Sequence, residues 1–143
     1  MADIRAVTPT FAVAPQIEAA DMAAIAAAGF TTVINNRPDG EAPGQMTDLE
    51  ARKAAEAAGM AYYTIPVMGG PRPDQIDATA AVLAHAGGPV LAFCRSGTRS
   101  ITTWAFAEAV AHKRTAGEIV SLASEAGYDL GGLKPALERL AGG

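Results

Sequence analysis

Residues 89–100 read PVLAFCRSGTRS and join a short apolar run to a turn and the expected start of a helix. The apolar run predicts a buried β-strand that delivers Cys94 at its carboxyl end. Gly97 permits a tight turn, and Ser100 is expected to begin the helix. In α/β sheets, ligands bind at the carboxyl ends of strands, where loops meet helix N-termini. The loop from Cys94 to Ser100 is therefore the candidate site of this chain.

The same alternation of apolar runs and helical stretches extends in both directions from this loop. Further short runs predict additional strands at 11–14, 31–35 and 60–67. Two of the helical stretches open with a capping box, Thr47 with Glu50 and Thr115 with Glu118. Strands that are each followed by a helix form parallel βαβ units. The sequence predicts one α/β domain over residues 1–143, a three-layer sandwich with a small, mostly parallel sheet.

Composition and charge limit the partners and the cellular location. The chain is 50% hydrophobic and 18% charged, with a net charge of −4, which argues against binding to nucleic acid or to an anionic membrane. The N-terminus lacks the apolar core of a signal peptide, and no apolar run approaches the ~20 residues of a membrane span. One cysteine and two histidines exclude an intramolecular disulfide and a structural zinc site. We expect a cytoplasmic protein without metal or cofactor.

The candidate loop combines a thiol with an anion cradle. Backbone amides that turn inward at a helix N-terminus bind anions, and Arg95 and Arg99 add two cations. A thiol held there is expected to ionise readily and to act as a nucleophile, with Ser100 donating a hydrogen bond to the sulfur. The expected catalytic residues are Cys94, Arg99 and Ser100. The expected substrate-binding residues are Arg95, Ser96, Gly97, Thr98 and Arg37.

The loop resembles those of two enzyme families with thiolate chemistry. Protein tyrosine and dual-specificity phosphatases carry a cysteine, five residues and an arginine, whereas rhodanese-type sulfurtransferases have a loop one residue shorter. Here four residues separate Cys94 from Arg99, and Phe93 stands where phosphatases usually have His. Each residue contributes ~3.8 Å of chain, so the shorter loop closes its amides more tightly. Such a cradle suits a single sulfane sulfur better than the three oxygens of a phosphoryl group.

Cysteine phosphatases place a general acid upstream of the nucleophile. After the strand at 60–67, the loop MGGPRP contains no acid, and Asp74 and Asp77 fit the first turn of the next helix as caps. Sulfur transfer needs no such acid. Two alternatives stay open: a phosphatase with a phosphocysteine at Cys94 and Asp74 as a displaced acid, and a non-catalytic anion-binding or redox-sensing module.

Three stretches extend the resemblance along the chain: TTVINNRPDGE at 31–41, YYTIPV at 62–67 and PVLAFCRSGTRS at 89–100. They resemble the beta-lactamase hydrolase-like family, whose members have a phosphatase-like domain and are often described as sulfurtransferases. This implies a protein tyrosine phosphatase-like fold of the dual-specificity type. It also implies a persulfide sulfurtransferase that moves sulfane sulfur from thiosulfate or a low-molecular-weight persulfide, through Cys94, to a thiol, sulfite or cyanide. Some relatives are fused to a persulfide-oxidising metallo-hydrolase, which makes such an enzyme a candidate partner.

The NRPDGE loop at 36–41 follows a strand and is expected on the same rim as Cys94. Its Pro-Asp-Gly segment is equally an ordinary turn signal. In a functional loop, Arg37 would attract an anionic donor and Glu41 would orient an arginine.

Overall fold

The computed structural model describes residues 2–142, in which helices flank a five-stranded sheet. The strands are β1 (Arg5–Thr8), β2 (Phe11–Ala14), β3 (Thr32–Asn35), β4 (Ala61–Thr64) and β5 (Val90–Phe93). The helices are α1 (Met22–Ala27), α2 (Asp48–Ala57), α3 (Pro73–His85), α4 (Thr98–Val110), α5 (Ala116–Glu125) and α6 (Lys134–Leu140), with 3₁₀ turns at Ala19–Asp21 and Gly131–Leu133. The strand order is β1-β2-β5-β3-β4, and the β2–β5, β5–β3 and β3–β4 pairs are parallel.

Alternate residues of the central strand face two hydrophobic cores. In β5, Val90 and Ala92 contribute to the core beneath α3 to α6, whereas Leu91 and Phe93 contribute to the core beneath α1 and α2. All four side chains are buried, which explains why the strand reads as a continuous apolar run. Trp104 of α4 is completely buried and belongs to the first of these two cores. The predicted three-layer α/β architecture is confirmed.

The sheet has one strand that the sequence-based prediction did not include. β1 pairs antiparallel with β2 at the edge of the sheet, with a register shift between Ala6 and Thr8. Only Val7 of this strand is buried, so no apolar run marks it. An edge strand that has only one face against the core needs few buried side chains.

Two predicted boundaries also change. β4 ends at Thr64 rather than at Val67, because Pro66 has no N–H to continue a ladder. α4 begins at Thr98 rather than at Ser100, because Gly97 adopts a φ of +91° and takes the N-cap position itself. The helix N-terminus therefore lies closer to Cys94 than the sequence suggested.

The helices are short, and the longest, α3 and α4, have 13 residues each. Within residues 2–142, none combines the length and the apolar character that crossing a bilayer requires. Both predicted capping boxes form: Thr47 accepts from the Glu50 amide, and Thr115 accepts from the Glu118 amide.

Candidate active site

The carboxyl ends of three neighbouring parallel strands meet at one edge of the sheet. Ala14 at the end of β2 and Asn35 at the end of β3 are both in register with Phe93 of β5. The Asn36 amide donates to the Phe93 carbonyl at 2.8 Å, which keeps the departing chains side by side. The loops that leave this edge carry the residues of the site: Gln16, Arg37 and Cys94.

The Cys94 side chain is fully buried and faces the loop that follows it. The Gly97 amide donates a hydrogen bond to Cys94 Sγ at 3.1 Å. The positive φ of Gly97 turns the chain back over the sulfur and starts α4. The sulfur therefore lies at the bottom of a loop that opens a 13-residue helix, where the positive end of the helix dipole favours an anion.

Two peptide groups of this loop point their carbonyls outward. The Arg95 carbonyl accepts from the Gln16 amide at 3.2 Å, and the Ser96 carbonyl accepts from the Tyr128 hydroxyl at 2.9 Å. Because N–H and C=O of one peptide point in opposite directions, the Ser96 and Gly97 amides face inward. The amides of Ser96, Arg99 and Ser100 donate to no residue within 2–142. They form a cradle that can bind the oxygens or sulfur of a small anion.

Arg99 is held at the rim of the cradle by a shared carboxylate. Its Nη1 and Nη2 each donate to Glu41 at 2.8 Å, and Nη1 also donates to the Val67 carbonyl at 3.0 Å. Glu41 accepts in addition from Arg37 Nε at 2.9 Å, and Arg37 Nη1 donates to Gln16 at 3.0 Å. Two guanidinium groups thus share one carboxylate. Two arginines and one glutamate leave the rim with a net positive charge, although the chain as a whole is acidic.

Glu41 remains ionised under ordinary conditions. The hydrogen bond from Arg99, followed by that from Arg37, lowers the pKa of Glu41 to about 2 against the opposing effect of burial. The same hydrogen bond raises the pKa of Arg99 against the opposing effect of burial. Glu41 therefore orients an arginine, as expected, but holds no proton to give to a leaving group.

The other predicted site residues differ in exposure and in hydrogen bonding. Arg95, Ser96 and Thr98 are exposed, and the Ser96 and Thr98 hydroxyls bond each other at 3.0 Å. Ser100 is buried, but its hydroxyl has no hydrogen-bond partner among residues 2–142. The hydrogen bond expected from Ser100 to the sulfur is therefore not made. Arg37 is buried rather than free, because Glu41 and Gln16 bind its guanidinium.

The alternative general acid lies in a surface ion pair. Asp74 is in the first turn of α3, as predicted, and its carboxylate accepts from Arg72 at 3.0 and 3.1 Å. Both side chains are about two-thirds exposed. The Arg72 hydrogen bonds lower the pKa of Asp74, so this carboxyl is also ionised. Between residues 2 and 142, no three His, Cys, Asp or Glu side chains cluster as a metal site would need.

Two residues of the site were missed by the sequence analysis. Gln16 follows β2, so the parallel topology could have predicted its position at the carboxyl edge of the sheet. Tyr128 follows α5 and reaches the loop across 32 residues, and no local pattern marks that contact.

Replacing Gly97 with Ala is expected to lower the free energy of unfolding by about 3 kcal/mol. The positive φ costs about 1–2 kcal/mol for a residue with a Cβ, and overpacking adds about 1–3 kcal/mol. A Cβ here would collide with the Tyr128 hydroxyl. Urea unfolding measures the loss, with Gly59→Ala as control, since Gly59 has a φ of +85° but open space around it. Equal losses in the two variants would show that Tyr128 does not crowd position 97.

The chain is similar in sequence to proteins of one family. Residues 3–111 match the model of the beta-lactamase hydrolase-like protein, phosphatase-like domain. A beta-lactamase hydrolase-like protein of Agrobacterium fabrum is 40% identical over 129 residues, which cover 89% of this chain and 30% of that protein. A second from Xylella fastidiosa is 37% identical over 114 residues, covering 79% of this chain and 26% of that protein. The chain thus spans less than a third of the length of these relatives.

Solved structures share the fold. A candidate phosphatase of Neisseria meningitidis superposes with a TM-score of 0.82 and 29% identity, covering 96% of this chain and 97% of that one. Tk-PTP in its active form superposes with a TM-score of 0.70 and 16% identity, covering 96% and 95%. The protein tyrosine phosphatase-like fold is confirmed. These similarities favour the phosphatase alternative over the sulfurtransferase reaction expected from the loop spacing. The chain belongs to the family of the phosphatase-like domain of beta-lactamase hydrolase-like proteins.

Proposed function

We propose that this protein is a cysteine-dependent phosphatase, in which the Cys94 thiolate attacks a small phosphate ester and holds the phosphoryl group covalently. The observation that carries the proposal is the Gly97 amide on Cys94 Sγ, with the inward-facing Ser96 amide beside it. Hydrogen bonds of this kind favour the thiolate and then stabilise charge on a bound oxyanion. Arg99, fixed by Glu41, adds a positive charge at the rim.

Phosphate-ester hydrolysis is the first choice because the matching family and the similar folds are phosphatase-like. Cys94 Sγ forms a bond to phosphorus while the bond from phosphorus to the leaving oxygen breaks, and that oxygen keeps the electron pair. Water then attacks the phosphocysteine and releases inorganic phosphate and the thiolate. Every step uses the cradle as an anion site.

The leaving group is expected to depart without help from a carboxylic acid. Glu41 is ionised between two arginines, and Asp74 is bound to Arg72 at the surface. Aryl phosphates, whose leaving groups are stable as phenolates, are therefore expected to react faster than alkyl phosphates by a factor of roughly 10²–10⁴. Asp74→Asn would leave both rates unchanged. A large loss in that variant would identify Asp74 as the acid instead.

Persulfide sulfur transfer is the second candidate, favoured by the four-residue spacing between Cys94 and Arg99 and by the lack of need for an acid. The Cys94 thiolate would attack the sulfane sulfur of thiosulfate and release sulfite, or that of a low-molecular-weight persulfide and release the thiolate. The outer sulfur would then pass to a thiol, sulfite or cyanide. For this reaction, a persulfide-oxidising metallo-hydrolase is the partner we propose.

Intact-mass spectrometry after brief exposure to substrate distinguishes the two reactions. An aryl phosphate followed by a rapid denaturing quench without acid is expected to add about 80 mass units, and thiosulfate would instead add about 32. Peroxide alone adds about 16, the oxidation expected of a redox-sensing thiol. The Cys94→Ser variant is the control for all three. A persulfide without any phosphoryl adduct would overturn the phosphatase proposal in favour of sulfur transfer.

A further inference from the structure

Tyr128 lies against the outer side of the Cys94 loop, and contacts with other parts of the chain fix its position. It follows α5, and its amide donates to the Ala123 carbonyl at 2.9 Å. The Arg5 guanidinium carbon lies 5.4 Å from the centre of the Tyr128 ring, within the range of a cation–π contact. The ring is therefore fixed between the end of a helix and the edge strand β1.

The Tyr128 hydroxyl binds the same peptide group that contacts the nucleophile. It donates to the Ser96 carbonyl at 2.9 Å. The N–H of that peptide belongs to Gly97 and donates to Cys94 Sγ at 3.1 Å. A hydrogen bond accepted by a peptide carbonyl polarises the peptide and strengthens the bond donated by its N–H. Hydroxyl, peptide and sulfur form one continuous chain of hydrogen bonds.

Two further observations fit this arrangement. Position 97 carries no Cβ, and one would meet the Tyr128 hydroxyl oxygen. Burial raises the pKa of Tyr128, so the hydroxyl keeps its proton and stays a donor in the pH range where thiols ionise.

We propose that Tyr128 is a positioning residue for Cys94: its hydroxyl fixes the Ser96–Gly97 peptide with the N–H directed at the sulfur and thereby stabilises the thiolate. The proposal concerns the nucleophile of the proposed phosphatase. It is nevertheless tested without substrate, because the reactivity of the thiol is measured directly.

Tyr128→Phe removes the hydroxyl and keeps the ring beside Arg5. We expect the midpoint of the pH profile for Cys94 alkylation by iodoacetamide to rise by about half a pH unit, which lowers the rate below the midpoint about threefold. Cys94 is the only cysteine of the chain, so the signal belongs to it alone. Tyr63→Phe is the matched control, since this tyrosine is exposed on β4 and its variant is expected to leave the midpoint unchanged.

The Gly97 amide resonance in a nitrogen–proton correlation spectrum reports the bond itself. In the unsubstituted protein it is expected to shift when the thiol ionises, and in Tyr128→Phe it is expected to move upfield. An unchanged alkylation midpoint and an unchanged Gly97 resonance in Tyr128→Phe would overturn the proposal and leave Tyr128 as a packing residue only. Failure of the phosphatase assay alone would not affect either readout.

Discussion

Replacing Cys94 with Ser is expected to lower turnover of the best aryl phosphate by at least about 10⁴-fold and to abolish the covalent adduct. A serine hydroxyl is far less acidic than a thiol, and the single Gly97 amide that contacts this side chain cannot ionise it. The nearby carboxylate of Glu41 does not replace the missing acidity, since it is bound to two arginines. Steady-state kinetics and intact mass measure the two effects.

The variant is expected to keep its fold, which makes the loss interpretable. Serine has nearly the same shape as cysteine, and the Gly97 amide can donate to its hydroxyl. Circular dichroism and thermal unfolding check this directly. Turnover within tenfold of the wild type in Cys94→Ser would rule out Cys94 as the nucleophile.

Glu41→Gln is expected to lower kcat about 10²-fold while KM changes much less. The variant loses the two charged hydrogen bonds from Arg99 to the Glu41 carboxylate. Misplacing a catalytic group by about 1 Å lowers the rate by about 10²-fold. Removing the negative charge makes the rim more positive, which favours anion binding and holds KM down. Kinetics with one aryl phosphate separate the two parameters. A proportional rise of KM with kcat unchanged would show that Glu41 serves binding alone.

The free energy of unfolding of the same variant is expected to depend less on pH than that of the unsubstituted protein. The pKa of Glu41 lies at about 2 in the folded protein, below its ordinary value of 4.5. The stability that this carboxylate provides is therefore fully present above pH 4.5 and is lost as the pH falls towards 2. Urea unfolding of Glu41→Gln is expected to show a weaker decline over that window.

Glu50→Gln is the matched control for kcat, because Glu50 caps α2 and contacts neither arginine.

The strands, the helices and the loop that carries Cys94 could be predicted because the signals are local. The apolar run before Cys94, the turn glycine and the two capping boxes each lie within a few residues of sequence. β1 escaped prediction because an edge strand with one buried side chain has no such run. The Glu41 bridge between Arg37 and Arg99 was predicted only in part, since its geometry depends on how two loops meet. Tyr128 could not be found, because its contact joins segments 32 residues apart.

The loop length and the comparisons with known proteins favour different reactions. Four residues between Cys94 and Arg99 pointed towards sulfur transfer, whereas the family match and the shared fold favour a phosphatase. Both reactions need a stabilised thiolate and an anion cradle, so the residues that the sequence revealed serve either one. The two reactions differ in the atom that the thiolate attacks, which is phosphorus in one and a sulfane sulfur in the other.

The position of β5 has a consequence for how activity is lost. β5 has a hydrogen-bonded neighbour on each side and both faces covered, and it carries Cys94 at its end. Segments of this kind are the last to open in native-state hydrogen exchange, whereas edge strands and rims fray first. Heating should therefore disturb the surroundings of Cys94 only together with the collapse of the whole sheet, not in an earlier and separate step.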